Sequence, residues 1–519
     1  MPVIHSDQSI SSQLAPTPDK SDTNIIINLE SLGSLDIIDG KQRYAGFKPG
    51  RPGWDFETVY AFTPIDQFRT EPINPVTKDE RRLHSIISSL LPPKSITDTL
   101  IYSYHDTYSL SKFTIDGNFF FKNYKKFWET GDISPFFLAL ILCICSITLR
   151  MYPSESEPSL KLISEVMRMP RLEYRKAIQE GIAECLEMEN VMQNYDYTLL
   201  QLLVANQQNY DVMLPSSTWM WNIIMAATAL SLGLHRDPSY LSLPKEEWQM
   251  RRRIWQTTCG INCLISHDQG LPCQLDFRGS DCLPPTYDPI IDGSSHQDCI
   301  RFEFCNEFEN LATKMGDVYC RIFSPRRTEY CLVEELDDDL ELWFGDLPEQ
   351  LYLNEYETEI SSVWWQLCIE AALCRTLLIL HLPYFRYQVR SKDRAINACR
   401  RSMHTLHVLD AYGEKLQWFR YFGRMWMINT PVVSTVAFTL YIIMNSAEAN
   451  DEDWHLIEST LVIIRRTPEF SEDEMMPKAC NLVEVLLKER SINADARERF
   501  RLFSAVDRNW AWLNGYFTA

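Results

Sequence analysis

The 519-residue sequence lacks cysteine before Cys143, and nowhere do six cysteines cluster at the short spacings that hold a small zinc module. The fifteen cysteines instead fall mostly in apolar helical stretches, as Cys145 and Cys374 do. Such placement is typical of buried thiols in a reducing compartment and argues against a secreted disulfide framework. We expect no zinc or other cofactor site in this chain.

The sequence also lacks the motifs of common enzymes. No nucleophile elbow, HExxH, GxxxxGK[ST] or strand-linked GxGxxG occurs, and only 18 glycines are available for phosphate-binding loops. Paired carboxylates do occur, but we interpret them as the solvated side of a helix rather than as an acid and base. They are Glu334, Glu335, Asp337, Asp338 and Asp339. We predict no catalytic residues and no enzyme.

Positive charge and long apolar runs are scarce as well. Fifty basic residues against seventy acidic ones give a formal charge of −20, which opposes binding to the phosphate backbone. The longest apolar run, Pro135 to Cys145, is too short to span a bilayer, and the polar N-terminus has no signal core. We therefore expect a soluble protein with no membrane partner.

What the sequence does contain is apolar residues at helical spacing. With 45% hydrophobic residues and 14 Trp it can bury a large core, and Leu332, Leu336, Leu340, Trp343 and Leu347 form one amphipathic stripe ahead of Pro348. Nine similar stripes occupy 96–108, 135–149, 173–190, 197–208, 216–232, 245–267, 363–382, 394–413 and 430–444. The fold class predicted is all-α, a large multi-helix regulatory domain with an irregular N-terminal linker.

Composition divides the chain into three parts. Residues 1–24 are polar and predict a disordered leader, and 25–76 are rich in Gly and Pro and predict an irregular linker. Residues 77–519 form the predicted helical domain. No period of 20 to 50 residues recurs, so a regular solenoid is not indicated.

Two histidine and cysteine groups raise the question of a metal. Cys259, Cys263 and His267 fall at i, i+4 and i+8 of one helix, but three ligands in line are poorly disposed for a tetrahedron. His404 and His407 fall at i and i+3 of another. Buried packing and a solvated helical face explain the two groups better, so no metal site is predicted.

The most informative stretch runs from Trp219 to Pro285. A helix ends in a GLHRDP turn, a basic helix containing RRIW follows, and a G-x-P turn leads into the last segment. Their signature residues are Gly233, Leu234, His235, Arg236, Asp237, Pro238, Arg252, Arg253, Trp255, Gly270 and Pro272. We expect Gly233 to stop the helix, His235 and Asp237 to fix the turn through capping hydrogen bonds, and Arg251 to Arg253 to be neutralised by acidic neighbours such as Asp237.

This stretch resembles the fungal transcription factor domain, or middle homology region, of the zinc-cluster transcription factor family. Residues 28–46 look like that family's linker, 91–128 like the opening of its domain, and 377–385 like a later segment. The resemblance implies an all-helical domain that regulates transcription by RNA polymerase II in the nucleus. It also implies partners such as other transcription factors or coregulators, a homo- or heterodimer, and a small-molecule effector.

The chain departs from the family pattern in two places. The family often has Asp-Arg at Asn262 and Cys263, and Arg at Leu271, so we expect that an ion pair has been lost with both charges together. The family's zinc cluster would precede the linker, so the expectation is that DNA is reached indirectly or through a missing segment. A helical protein-interaction scaffold outside transcription, and an enzyme with a helical pocket, are the alternative interpretations.

Overall fold

The computed structural model describes residues 33–38, 41–46, 78–107, 111–152, 158–213, 215–241, 243–269, 271–276, 279–322, 329–354, 356–416, 429–444, 451–467 and 475–488. Between residues 78 and 488 the described elements are all helical, which confirms the predicted fold class. The predicted leader, residues 1–24, lies outside the described residues, and so does most of the linker, 25–76.

Eighteen α-helices lie in the described part of the chain. They are α1 (Lys78–Leu90), α2 (Lys94–Thr107), α3 (Ser111–Thr114), α4 (Gly117–Thr130), α5 (Pro135–Met151), α6 (Pro158–Met167), α7 (Arg171–Glu189), α8 (Tyr197–Asn206), α9 (Pro215–Ser231), α10 (Lys245–Gln269), α11 (Pro289–Asp292), α12 (His296–Ile322), α13 (Tyr330–Gly345), α14 (Ile360–His381), α15 (Val389–Tyr412), α16 (Asn429–Met444), α17 (Asp451–Arg466) and α18 (Met475–Lys488). Each of the ten predicted stripes overlaps one of these helices.

A two-stranded antiparallel sheet lies within the segment predicted as a linker. Strands β1 (Gly33–Ile38) and β2 (Lys41–Gly46) pair so that Leu35 faces Tyr44. The sequence signal for this hairpin is the Asp39–Gly40 dipeptide between the two strand segments, because Asp-Gly favours a two-residue hairpin loop.

Helix α5 forms the centre of the first group of helices. Ser134 caps its N-terminus by accepting a hydrogen bond from the backbone N–H of Phe137 at 3.3 Å, and Pro135 occupies the first turn. Every residue from Phe136 to Met151 is buried, because α2, α7 and α8 pack around it. A helix that is apolar on all sides is stable only when it is enclosed in this way.

The second group places the helices that carry the signature. Helix α10 packs against α9 and α12, α12 packs against α14, and α14 packs against α15. Helices α16 and α17 cover α15, and one continuous apolar cluster joins the two groups.

One helical segment of the described chain, Ile360–Tyr384, is long and apolar enough to cross a membrane, and α4 with α5 would pass only as a pair bent by 107°. Of the apolar window in Ile360–Tyr384, 83% is buried within the fold, as in the core helix of a globular protein.

Candidate functional site

The GLHRDP turn ends α9 through glycine geometry. Gly233 has φ +71°, its N–H donates to Leu230 O at 3.0 Å, and the N–H of Leu234 donates to Ala229 O at 3.1 Å. This is the bonding pattern of a left-handed C-cap, and the buried Leu234 side chain secures it. The prediction that Gly233 stops the helix is confirmed.

Asp237 is the centre of the turn. Its carboxylate is fully buried and accepts hydrogen bonds from Arg252 Nε and Nη2 at 2.8 and 2.9 Å. It also accepts from the backbone N–H groups of Ser239 and Leu283, each at 3.0 Å. Burial alone would raise the pKa of Asp237, but these donors outweigh it and lower the pKa to about 2. Asp237 is thereby fixed as an anion that caps the short 3₁₀ helix Pro238–Tyr240.

The three consecutive arginines of α10 are buried, each with a different partner. Arg251 Nη2 donates to the carbonyl of Leu232 at 2.6 Å, and Arg252 pairs with Asp237. Burial lowers the pKa of Arg251. None of these guanidinium groups is presented to solvent as a phosphate contact would require.

Arg253 is the most enclosed of the three, at 0% exposure. Its Nη2 atom lies 2.8 Å from Asp292 Oδ2 and donates to Thr286 O at 3.2 Å. Its guanidinium carbon lies 5.4 and 5.5 Å from the ring centres of Phe113 and Phe302. A cation held between two aromatic faces and a carboxylate links α3, α10, α11 and α12.

A second ion pair, Arg236–Asp281, holds the segment that follows the G-x-P turn against the GLHRDP turn. Arg236 Nε lies 3.1 and 3.0 Å from the carboxylate oxygens of Asp281, and Asp281 Oδ1 also accepts the N–H of Asp237 at 2.9 Å. The carbonyl of His235 accepts from Asp281 N and Ser280 Oγ. His235 thus contributes to the network through its main chain. Its imidazole lies beside Trp255, with the two ring centres 6.3 Å apart, and burial lowers its pKa.

The G-x-P turn is attached to α10 by hydrogen bonds between the Asn262 side chain and amide groups of the loop. Gly270 lies outside the described residues, and Pro272 is exposed. Asn262 is fully buried, and its Oδ1 accepts the N–H groups of Gln274 and Leu275 at 3.1 and 3.3 Å. Its Nδ2 donates to Gln274 Oε1 at 2.7 Å. A neutral amide of α10 therefore holds this loop in place.

A second buried charge cluster joins α13, α14 and α15. Asp337 is 0% exposed and receives hydrogen bonds from Arg390 Nε at 2.8 Å and Arg394 Nη2 at 2.6 Å, with His381 Nε2 at 3.2 Å. Burial opposes the charge, yet His381 and Arg394 hold the pKa of Asp337 below its usual value. Burial in turn lowers the pKa of His381, which keeps the imidazole neutral.

The interpretation of the whole acidic run as a solvated face was wrong at Asp337. Asp338 and Asp339 are exposed, but Asp337 lies four residues after the buried Val333 and three before the buried Leu340, so it faces the neighbouring helices.

The residues considered for metal binding do not converge. Cys259 and Cys263 are buried, while His267 contacts Arg375 at 3.1 Å and the Tyr319 ring. His407 bonds to Thr460 Oγ1 at 3.1 Å at the edge of an open groove of about 730 Å³ between α15 and α17. Within the described ranges, no group of three or more His, Cys, Asp or Glu side chains is placed to hold a metal ion.

Comparison with known proteins finds relatives among fungal regulators. The chain is 24% identical over 331 residues to the Fusarisetin A cluster transcription factor of a Fusarium species, covering 60% of this chain and 43% of that protein. It is 22% identical over 324 residues to a Zn(2)-C6 fungal-type transcription factor of Macrophomina phaseolina, covering 58% and 42%.

The chain is similar to proteins named as fungal transcription factors. A further relative, an uncharacterized transcriptional regulatory protein of Schizosaccharomyces pombe, is 24% identical over 414 residues, covering 75% of this chain and 63% of its own length. The matched region spans less than half of the first two relatives, and no protein-family model matches the chain.

Sequence reasoning missed three carboxylates that complete these clusters. Asp281 and Asp292 lie 45 and 39 residues from their arginines, and Asp337 lies 57 residues from Arg394. The only local signal was the excess of arginines in a helix whose flanking residues, Trp248 and Trp255, are apolar.

Proposed function

We propose that this chain is the regulatory domain, the middle homology region, of a fungal zinc-cluster type transcription regulator that acts in the nucleus on genes transcribed by RNA polymerase II. The observation that carries the proposal is the joining of three separated sequence pieces, the GLHRDP turn, the basic helix and the 279–283 segment, into one buried ion-pair network. Names of relatives at 22–24% identity support the transcriptional part.

The signature residues have a structural and regulatory role in this proposal, with no part in catalysis. Asp237 and Arg252 connect the end of α9 to α10, so a partner or ligand that moves α9 must also move α10 or break a buried ion pair. Because breaking a buried ion pair costs stability, a displacement of α9 is passed on to α10. The partners we propose are other transcription factors or coregulators, including a second copy of this chain.

A small-molecule effector also has a place in the proposal. An open pocket of about 500 Å³ between α2 and α4 is lined by Tyr102, Phe121, Tyr124 and Trp128, together with Lys94, Lys125 and Glu129. Its volume falls in the range of ligand sites, and its aromatic walls suit a planar ligand, while Lys94 and Lys125 are already paired with Asp98 and Glu129 at 2.6 and 3.8 Å.

The experiment is a tethering assay. The full chain is fused to an unrelated sequence-specific DNA-binding module, and reporter transcript is measured in a fungal host against that module alone. We expect a change of roughly tenfold in either direction, and we expect Asp237→Asn to reduce it, since it uncouples α9 from α10.

The matched control is Asp132→Asn, which removes a carboxylate from an exposed pair with Lys126 and should leave the reporter unchanged. An unchanged transcript level with a folded, nuclear fusion protein would contradict the proposed function.

A further inference from the structure

Three thiols form a row from the surface to the core beside the G-x-P turn. Cys320, at the end of α12, is exposed; Cys273, which follows Pro272, is half-buried; and Cys263 of α10 is fully buried. The sulfur atoms of Cys263 and Cys273 are 3.9 Å apart, and the Cys320 thiol lies within hydrogen-bonding reach of Cys273.

The row is held in place by close helix packing on one side and by hydrogen bonds to the loop backbone on the other. Gly316 of α12 lies directly against Cys263, since a Cβ atom at Gly316 would fall 2.3 Å from the Cys263 sulfur. Cys320 follows Gly316 by four residues and therefore lies on the same face of α12. On the other side, Asn262 binds the backbone N–H groups of Gln274 and Leu275 and fixes the loop that carries Cys273.

We propose that Cys263 and Cys273 form a site of reversible oxidation, in which a hydroperoxide converts the two thiols into an intramolecular disulfide that ties the 271–276 loop to α10. The chemistry goes beyond the proposed regulatory role and does not depend on it.

The reaction balances with hydrogen peroxide as the oxidant. The Cys273 thiol first loses its proton, and the thiolate attacks one peroxide oxygen as the O–O bond breaks. The hydroxide that leaves takes up that proton, so Cys273 sulfenic acid and one water result. The Cys263 sulfur then attacks the sulfenic sulfur, so that the S–S bond forms as the S–OH bond breaks. The departing hydroxide takes the proton of the Cys263 thiol and becomes a second water. The two sulfurs lose two electrons in total, and the peroxide oxygens gain them.

The positions of Cys263 and Cys273 suit the formation of a disulfide between them. A disulfide needs its sulfurs about 2.05 Å apart, so the two sulfur atoms, now 3.9 Å apart, must approach each other by about 1.9 Å. Cys263 has no access to solvent, so the oxidant reaches Cys273 first and Cys263 acts as the resolving thiol. The hydrogen bond to Cys263 and burial raise the pKa of Cys273 to about 12, so oxidation should be slow near neutral pH and faster in alkaline solution.

The test uses the purified full chain. It is exposed to hydrogen peroxide at about pH 7 and about pH 9, free thiols are alkylated, and peptides are mapped by mass spectrometry under non-reducing conditions. We expect a linked peptide pair containing Cys263 and Cys273, lighter by two hydrogens than the separate peptides, formed faster at the higher pH and lost after treatment with a dithiol reductant.

Variants separate the site from general thiol oxidation. Cys273→Ser and Cys263→Ala should abolish the linked pair, and circular dichroism checks that both remain folded. Cys331→Ser should leave its yield unchanged, because Cys331 is exposed and contacts Glu329 rather than another thiol. A disulfide between Cys273 and Cys320 in the wild-type chain, or oxidation confined to exposed thiols such as Cys331, would overturn the proposal; mapping the wild-type chain gives this result even if a variant fails to fold.

Discussion

For a single residue such as Asp237, burial decides how much a charge contributes to the stability of the fold. Its carboxylate is fully enclosed and paired with Arg252. Asp237→Asn leaves that guanidinium buried without its counter-charge, which should lower the free energy of unfolding by about 3 kcal/mol or more. Urea denaturation measures this, and Asp132→Asn in the exposed pair with Lys126 should change it by less than about 1 kcal/mol. Equal effects of the two substitutions would show that burial of Asp237 does not matter.

The same carboxylate predicts a pH dependence. The pKa of Asp237 is about 2 in the folded protein, against about 3.9 for an unfolded chain. Its contribution to stability is therefore complete above about pH 4 and is lost as the pH falls from about 4 towards 2. Over that interval the unfolding free energy of Asp237→Asn should fall less steeply than that of the wild-type protein, as measured by denaturation at each pH. Parallel curves would contradict the assigned pKa direction.

Glu309 predicts the opposite trend. It is 1% exposed on α12, its Oε2 atom lacks a hydrogen-bond partner among the described residues, and burial raises its pKa well above 4.5. Stability from this group is complete below about pH 4.5 and falls by about 1.4 kcal/mol per pH unit until its folded pKa is reached. Glu309→Gln should remove that decline, so its advantage over the wild-type protein should grow as the pH rises above about 4.5, as measured in denaturation experiments.

Glu180→Gln provides the comparison for Glu309, because Glu180 is an exposed glutamate on α7. It should track the wild-type protein at every pH. A Glu309→Gln protein that does the same would mean that Glu309 ionises normally in the fold.

The partners of the buried charged residues were the part of the site that could not be predicted from the sequence. Gly233 was predictable, because a glycine after an apolar helix and before a polar turn is a local C-cap signal. The pairing of Arg253 with Asp292 was not, since it depends on a contact across 39 residues that only the packing of α10 against α11 and α12 creates.

For whole helices, close approach depends on small residues at the crossing point. A Cβ atom at Gly316 would lie 2.3 Å from the sulfur of Cys263, whereas one at Gly345 would meet nothing within 4 Å. Gly316→Ala should therefore force α10 and α12 apart and cost roughly 1–3 kcal/mol, while Gly345→Ala should be neutral or slightly stabilising.

A double substitution tests the cause of the Gly316 effect. Cys263→Ala removes the sulfur that the new methyl group would meet, so Gly316→Ala should cost less in that background, and thermal unfolding of the four proteins gives the coupling energy. Additive effects would mean that the sulfur is not the source of the strain, which would then lie at the Cβ atom of residue 263, 2.7 Å from the new methyl group, or at another contact.

Helix prediction succeeded where one face is apolar and failed where polar residues interrupt the stripe. The stripe at 216–232 matches α9 within one residue at each end, but α12, with 27 residues, was not predicted. Its buried side includes Glu309 and Gly316, so the apolar period is broken at two positions that face another helix.

Across the whole molecule, acidic residues outnumber basic ones and give a formal charge of −20. Arg251, Arg252 and Arg253 are buried and do not contribute positive charge to the surface. Net negative charge repels a phosphate backbone, and arginines enclosed by Leu232, Asp237 and Asp292 cannot reach one without unfolding the turn.

The purified chain should therefore bind duplex DNA more weakly than about 10⁻⁴ M at physiological salt, with no gain in affinity when the salt is lowered towards about 50 mM. Fluorescence anisotropy with a labelled duplex measures this, and the tethered fusion protein, whose added module binds DNA, is the positive control. A micromolar affinity that weakens steeply with salt would mean that a basic surface exists outside the described residues or that the arginine network opens. Repeating the titration with Asp237→Asn separates the two, because release of Arg252 would strengthen binding only if the network is the source.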